Sequence, residues 1–130
     1  MISHVYIGVS DFKKAFEFYD DILSELGLVL KFSEPEKPWA GWMMPGQARP
    51  LFLIGTPENG EDCSAGNGQM MALLAPSREA VGRAYIKALD RGAQCAGKPG
   101  LRPQYHPDYY GAYFHDLDGN KICLVCHEPQ

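Results

Sequence analysis

Basic residues are scarce in this chain. Twelve Lys and Arg stand against 16 Asp and Glu, giving a net charge of −4 and a pI near 5.5. A phosphate-binding face needs clustered positive charge, so nucleic acid is not an expected partner. Long apolar runs are also missing: no stretch of about 18 apolar residues exists, so no membrane partner is expected. The opening Met1-Ile2-Ser3-His4-Val5 lacks the basic start and apolar run of a signal peptide, which points to a cytoplasmic location. What remains is ordinary globular composition, 45 % hydrophobic and 22 % charged over 130 residues. That is enough for one domain with a core that needs no staples.

Cysteine is present but sparse: Cys63, Cys95, Cys123 and Cys126. In a cytosolic chain these are expected as free thiols. Cys123-Leu124-Val125-Cys126 has the spacing of a redox pair, but Lys121–Cys126 reads as a strand. Residues three apart on a strand point to opposite faces, whereas redox pairs sit at helix starts.

The periodicity gives the elements. Val5, Ile7 and Val9 alternate with His4, Tyr6 and Gly8, the pattern of a strand. Ser10 or Asp11 can cap a helix whose stripe is Phe12, Ala15, Phe16, Tyr19, Ile22, Leu23 and Leu26, ended by Gly27. Three strands are expected near 28–32, 40–44 and 50–54. A Gly-, Asn- and acid-rich linker follows. Met70–Leu74 reads as a strand. Ser77 caps a second helix with the stripe Val81, Ala84, Tyr85, Ala88 and Leu89, ended by Gly92. A Pro-rich loop over 97–108 precedes two strands, 110–115 and 121–126, joined by a turn at Asp116–Asn120.

The halves repeat one another. The separation that relates Tyr19 to Tyr85 also relates Asp11 to Ser77 and His4 to Met70. The closing strands match when Phe52-Leu53-Ile54 is laid on Cys123-Leu124-Val125. The expected fold is therefore α+β. Two tandem βαβββ modules (1–56 and 68–128, linker 57–67) form curved antiparallel sheets, with helices on one face and a concave cup on the other. Each cup is expected to open toward the other half. In this register His4, Phe52, Met70 and Cys123 face the cup, and Val5, Ile7, Leu51, Leu53, Met71, Leu73, Ile122 and Leu124 face the helices.

The opening His4–Asp11 with Phe18-Tyr19, and the ending Asp116-Leu117-Asp118-Gly119-Asn120-Lys121-Ile122, resemble the vicinal oxygen chelate superfamily, also called glyoxalase/bleomycin resistance/dioxygenase. Gly66-Asn67-Gly68, Pro99–Pro103 and Tyr109–Ala112 are similar to a bacterial glyoxalase-like group within it. The resemblance covers nearly the whole chain. It implies a glyoxalase-like fold, often a homodimer with modules paired within one chain or exchanged between two. It also implies a divalent metal in the cup that polarises vicinal substrate oxygens. His4 falls on the first ligand position. Met70 stands where relatives usually carry the second His, Cys123 where they carry a Glu, and Phe52 at the remaining position. A thioether and a thiol do not suit an open two-His-one-carboxylate site for Fe or Ni.

The candidate residues follow. His4 is the candidate metal ligand and general base, or a hydrogen-bonded cup wall. Cys123 is a candidate nucleophile if His4 lowers its pKa. With Met70 the two form a soft Cu(I)-type triad, or simply an apolar lining. Arg102, Tyr105, His106 and Tyr110 form a polar and aromatic cluster that can close over the cup, with Arg102 on an anionic group. Trp42 and Phe52, with Met70, are candidate contacts to an apolar ligand. The expected function is a cup that binds a small organic molecule, its metal centre largely lost and no cofactor required. The alternative is a divalent-metal-dependent lyase, isomerase or dioxygenase, lactoylglutathione-lyase-like, using His4 with His106 or His115.

Overall fold

A computed structural model describes all residues, 1–130. The element order is β1 (His4–Gly8), α1 (Phe12–Glu25), β2 (Val29–Glu34), β3 (Trp39–Met43), β4 (Leu51–Gly55), β5 (Met71–Leu74), α2 (Arg78–Asp90), β6 (Gln94–Leu101), β7 (Tyr110–His115) and β8 (Lys121–Cys126). This is the βαβββ unit twice. The helix ends follow from capping. The Asp11 carboxylate accepts from Lys14 N at 3.1 Å, and the Ser77 hydroxyl accepts from Ala80 N at 3.0 Å. Gly27 and Gly92 then leave each helix in the left-handed region, at φ 87° and 104°.

Two departures from expectation concern the sheets. Each is mixed rather than antiparallel, in the orders β1-β4-β3-β2 and β5-β8-β7-β6. The helix carries the chain back across the sheet, so β2, β3 and β4 run up, down and up. The first strand then lies parallel to the fourth. The second departure is β6, which occupies Gln94–Leu101, part of the stretch expected as a Pro-rich loop. Its ladder with β7 shifts register twice, between Cys95 and Gly97 and between Gly97 and Gly100. Those bulges absorb glycines and a proline that blurred the strand pattern.

The register corrects one face assignment. Val5 pairs with Phe52 and Tyr6 with Leu53; Met71 pairs with Ile122 and Ala72 with Cys123. Phe52 therefore corresponds to Ile122, and Leu53 to Cys123. The sequence superposition was one residue out, which flips every side chain of a strand to the other face. Leu51 and Leu53 face away from α1, while Phe52 packs on Tyr19 with ring centroids 5.2 Å apart. The remaining expected helix-facing residues, among them Ile122 and Leu124, do join or flank the core.

The modules meet through their helices. One core of 22 buried residues runs through both. Phe18 of α1 packs edge-on against Phe114 of β7 at 5.8 Å. Across the helix pair, Lys87 reaches Asp21 and Glu25, Arg83 reaches Glu25 and Arg91 reaches Asp21, all at 2.8–2.9 Å. The cups thus point away from the junction instead of opening toward the other half, because each sheet turns its helix face inward.

The turn after β7 latches the junction. Asp116 is 6 % exposed, yet its carboxylate is satisfied. It accepts from Asp118 N and Asn120 N at 2.9 and 2.8 Å, from Asn120 Nδ2 at 3.0 Å, and from the Tyr19 hydroxyl of the other module. Asn120 Nδ2 also donates to Gly8 O at 3.0 Å, and Ser10 N donates to Asp118 at 3.1 Å. A buried carboxylate persists only where such donors replace water.

Candidate functional site in the cup of the second module

The two cups differ. The first is filled by its own side chains. A Cβ on Gly41 would collide with Leu53 and Phe32, and one on Gly55 with Tyr6. Tyr6 donates to Thr56 O at 2.9 Å, and Phe32 stacks edge-on against Trp39 at 4.6 Å.

The second cup is open, a cavity of 1120 Å³. Its floor is Tyr113 and Lys121, with His115 beside them. One rim is the linker end, Gly66 to Met70; the other is the β6–β7 loop with Arg102, Gln104, Tyr105, His106 and Tyr109. The loop is ordered by its own backbone: Arg102 N donates to Tyr109 O at 2.8 Å, and Tyr105 N to Arg102 O at 3.0 Å. Asp108 N donates to His106 Nδ1 at 3.1 Å, so the His106 proton sits on Nε2. That Nε2 donates to His127 Nδ1 at 2.8 Å, tying the loop to the segment after β8. Gly66 leaves room for the Gln69 amide, which a Cβ would strike.

Beneath the aromatic wall lies Cys123, fully buried. The Tyr109 and Tyr113 hydroxyls are 3.0 Å apart, and Tyr109 Oη lies 3.5 Å from Cys123 Sγ. Burial pushes the Cys123 thiol above its ordinary range, against the hydrogen bonds from the tyrosines. Burial also raises both phenols; for Tyr109 the rise is strong and hydrogen bonds with Cys123 and Tyr113 add to it, whereas for Tyr113 the bond with Tyr109 acts in the opposite direction. All three groups hold their protons at neutral pH. Cys123 is therefore a protonated thiol buried beneath the cavity, and the expected activation by His4 is not built within one chain. His4 sits on the exposed edge strand of the other sheet, its Nδ1 2.9 Å from Ser3 Oγ.

The structure separates the sequence candidates into two groups. Met70, Arg102, Tyr105 and His106 line the cavity, with Cys123 below. Trp42, Phe52 and Tyr110 do not. Trp42 is 1 % exposed, lies 5.6 Å from the Phe16 ring and donates from Nε1 to Asp20 at 3.0 Å. Phe52 lies on Tyr19. Tyr110 flanks the core under the Arg78 guanidinium, 5.4 Å from its ring centroid. Each lies on the helix side of its sheet. Sequence reasoning passed over Tyr109, Tyr113, Lys121 and His127, and offered His115, which also lines the cavity, only as a metal partner of His4. Strand alternation from Cys123 could have found Lys121, and alternation from Tyr110 places Tyr113 and His115 on the opposite face.

The residues do not fit the metal centre that the fold family implies. No group of three or more His, Cys, Asp or Glu side chains converges anywhere in the chain. The four positions that the register relates carry one imidazole (His4), a thioether (Met70), a neutral buried thiol (Cys123) and the apolar Leu53. That is not a hard or borderline donor set for Fe, Mn, Ni or Zn.

Two mixed sheets, each backed by a helix and neither closed into a barrel, define a two-module glyoxalase-like α+β protein. The family model for the Glyoxalase/Bleomycin resistance protein/Dioxygenase superfamily matches residues 1–124, and the chain belongs to that superfamily. It is similar to a glyoxalase/bleomycin resistance protein from Albidiferax ferrireducens, at 32 % identity and a TM-score of 0.86 over 97 % of this chain and 98 % of that one. Fold likeness alone extends to a superfamily member from Sphaerobacter thermophilus (24 %, TM-score 0.65, 97 % and 96 % covered). It extends likewise to a family enzyme from Burkholderia phytofirmans (17 %, TM-score 0.69, 97 % and 98 % covered). No curated protein sequence matches the chain. No helix is long and apolar enough to cross a membrane.

Proposed function

We propose that this chain binds a small organic molecule in the cup of its second module and does so without the superfamily's usual metal. The observation that carries this is the contrast at the cup. Met70 and Cys123 occupy the ligand positions, while a 1120 Å³ cavity lined by aromatic rings and hydrogen-bond donors is kept above them. Pockets of that size suit a small ligand.

The working form is a homodimer. Strands β1 and β5 are both sheet edges, and both edges carry exposed apolar side chains: Tyr6 at 47 % on β1 and Leu74 at 69 % on β5, with Met70 at 44 % just before it. An apolar unpaired edge invites another strand. A second copy offers one of each kind, so that a first and a second module from different chains complete a wall around each cup. The expected location is the cytoplasm.

The test is metal analysis by mass spectrometry on protein purified without chelator, followed by a thermal-shift ligand screen in EDTA. Ligand stabilisation with no stoichiometric ion is the expected result. One tightly held divalent ion per chain, with ligand binding lost in EDTA, would overturn the reading in favour of a metal-dependent lyase, isomerase or dioxygenase.

A further inference from the structure

The cavity is electrically unlike the rest of the molecule. The chain carries 16 carboxylates and a net charge of −4, yet none of the 18 residues lining the cavity is Asp or Glu. Two permanent cations, Arg102 and Lys121, line it, with His106, His115 and His127. Elsewhere the arginines and lysines at the helix junction are matched by carboxylates: Arg83, Lys87 and Arg91 all sit in ion pairs. Neither Arg102 nor Lys121 has one.

Both of these cavity cations lie beside the same ring. The Arg102 guanidinium carbon is 5.5 Å from the Tyr113 centroid and Lys121 Nζ is 5.6 Å from it. The two cations flank one ring of the cavity wall with no carboxylate among the lining residues, so the cavity carries positive charge that an anionic ligand would offset. The seat of the guanidinium is built. Nη2 donates to Lys98 O at 2.7 Å and Nη1 to Leu101 O at 3.4 Å. Cβ atoms on Gly97 and Gly100 would lie 3.3 and 3.1 Å from it. Those two bonds use only part of a five-donor fork, leaving donors for a carboxylate. The buried Cys123 thiol stays neutral and supplies no competing charge.

The loop side offers flat faces. The Tyr105 and Tyr109 rings are 4.8 Å apart, and His106 and His127 lie 5.8 and 5.3 Å from Tyr109. Resting on the reading that this cup binds a small molecule, we propose that its ligand is an aromatic carboxylate. Arg102 and Lys121 hold the charged end, and the Tyr105–Tyr109 wall takes the ring.

The test is calorimetric titration in low salt and EDTA with three probes that share one ring: 2-naphthoate, 2-naphthalenemethanol and 2-naphthylmethylamine. The carboxylate should bind about tenfold or more tightly than the alcohol, and the amine should not bind. Arg102→Gln and Lys121→Gln should each weaken naphthoate about tenfold, as expected for loss of a charged hydrogen bond. Lys31→Gln, an equal change of charge on an exposed strand of the first module, should not. Equal binding of carboxylate and alcohol, unaffected by Arg102→Gln, would overturn the charge selection while leaving a ligand-binding cup. Failure of all three probes to bind, in wild type and at low salt alike, would overturn both.

Discussion

Replacing Tyr19 by phenylalanine deletes one oxygen from the centre of the molecule. The ring keeps its contacts with Phe18 and Phe52, at 5.0 and 5.2 Å, so no cavity larger than a hydroxyl is left. What is lost is the donor that crosses from module one to the buried Asp116 carboxylate. Burial, with Asp116 beside it, pushes the Tyr19 phenol well above its usual range, so the hydroxyl donates throughout the accessible pH range. A hydrogen bond to a charged group is worth about 1.5–3 kcal/mol, and the remaining three donors keep Asp116 from being fully orphaned. A loss of about 2 kcal/mol is expected, which for a chain of this size lowers Tm by about 6–8 °C. Urea unfolding followed by circular dichroism gives the free energy and checks that the slope is unchanged. Asp116→Ala should do more, about 3–5 kcal/mol, because it orphans several buried donors at once. A Tyr19→Phe protein within about 0.5 kcal/mol of wild type would refute the view that this bond latches the modules.

Thiol chemistry should separate the cysteines: the Tyr85 hydroxyl and the Gly97 N–H hold exposed Cys95 below its ordinary range. Iodoacetamide at neutral pH should therefore label Cys95 first and spare Cys123, as read by peptide mass spectrometry; equal labelling in the folded protein would contradict the burial argument. Hydrogen bonds from Lys87 and Arg91 lower Asp21 below 3.8, and those from Arg83 and Lys87 lower Glu25 below 4.5. Their contribution is whole above those ordinary values and is lost as pH falls through the lowered ones, so stability should decline from about pH 4.5 downward. Lys87→Met should flatten that decline; an unchanged acid limb in urea titrations would count against it. Gly97→Ala should cost about 1–3 kcal/mol, since its Cβ would stand 2.8 Å from Tyr113 Cδ2; a neutral effect on unfolding would mean that the bulge yields freely. If the proposed edge-to-edge dimer forms, Leu74→Glu should shift it to a folded monomer in analytical ultracentrifugation; an unchanged sedimentation mass would contradict that arrangement.

Most of the fold was legible because its signals are local. Both helix caps, both C-terminal glycines and the Asp116–Asn120 turn are written in residue type and spacing. Phe18 was left out of the α1 stripe because that helix is buried on two sides, against β3 and β4 through Phe16 and Tyr19, and against the second module through Phe18. A single stripe cannot announce a second partner. The site was half legible. Met70 lies on the cavity rim, and Cys123 lies buried beneath it on the face of β8 that also carries Lys121. Alternation failed at Phe52, where a run of buried residues from Leu51 to Gly55 gives no polar marker of register. Trp42 and Tyr110 were read as ligand contacts on residue type, but their strands turn them toward the helices. Lys121 shares the cup face of β8 with Cys123 by alternation, and its approach to Tyr113 completes its placement in the cavity.

The central claim is that the open cup of module two, and no metal, holds the ligand. It is tested most directly by 13C-methyl methionine NMR in EDTA during titration with a ligand found in the thermal-shift screen. The Met70 methyl lies on the cavity rim, whereas Met43 ends β3 in the other sheet. The account predicts a saturable shift of Met70 with Met43 unmoved. A shift confined to Met43, or a Met70 shift that vanishes in EDTA and returns with a divalent ion, would contradict it.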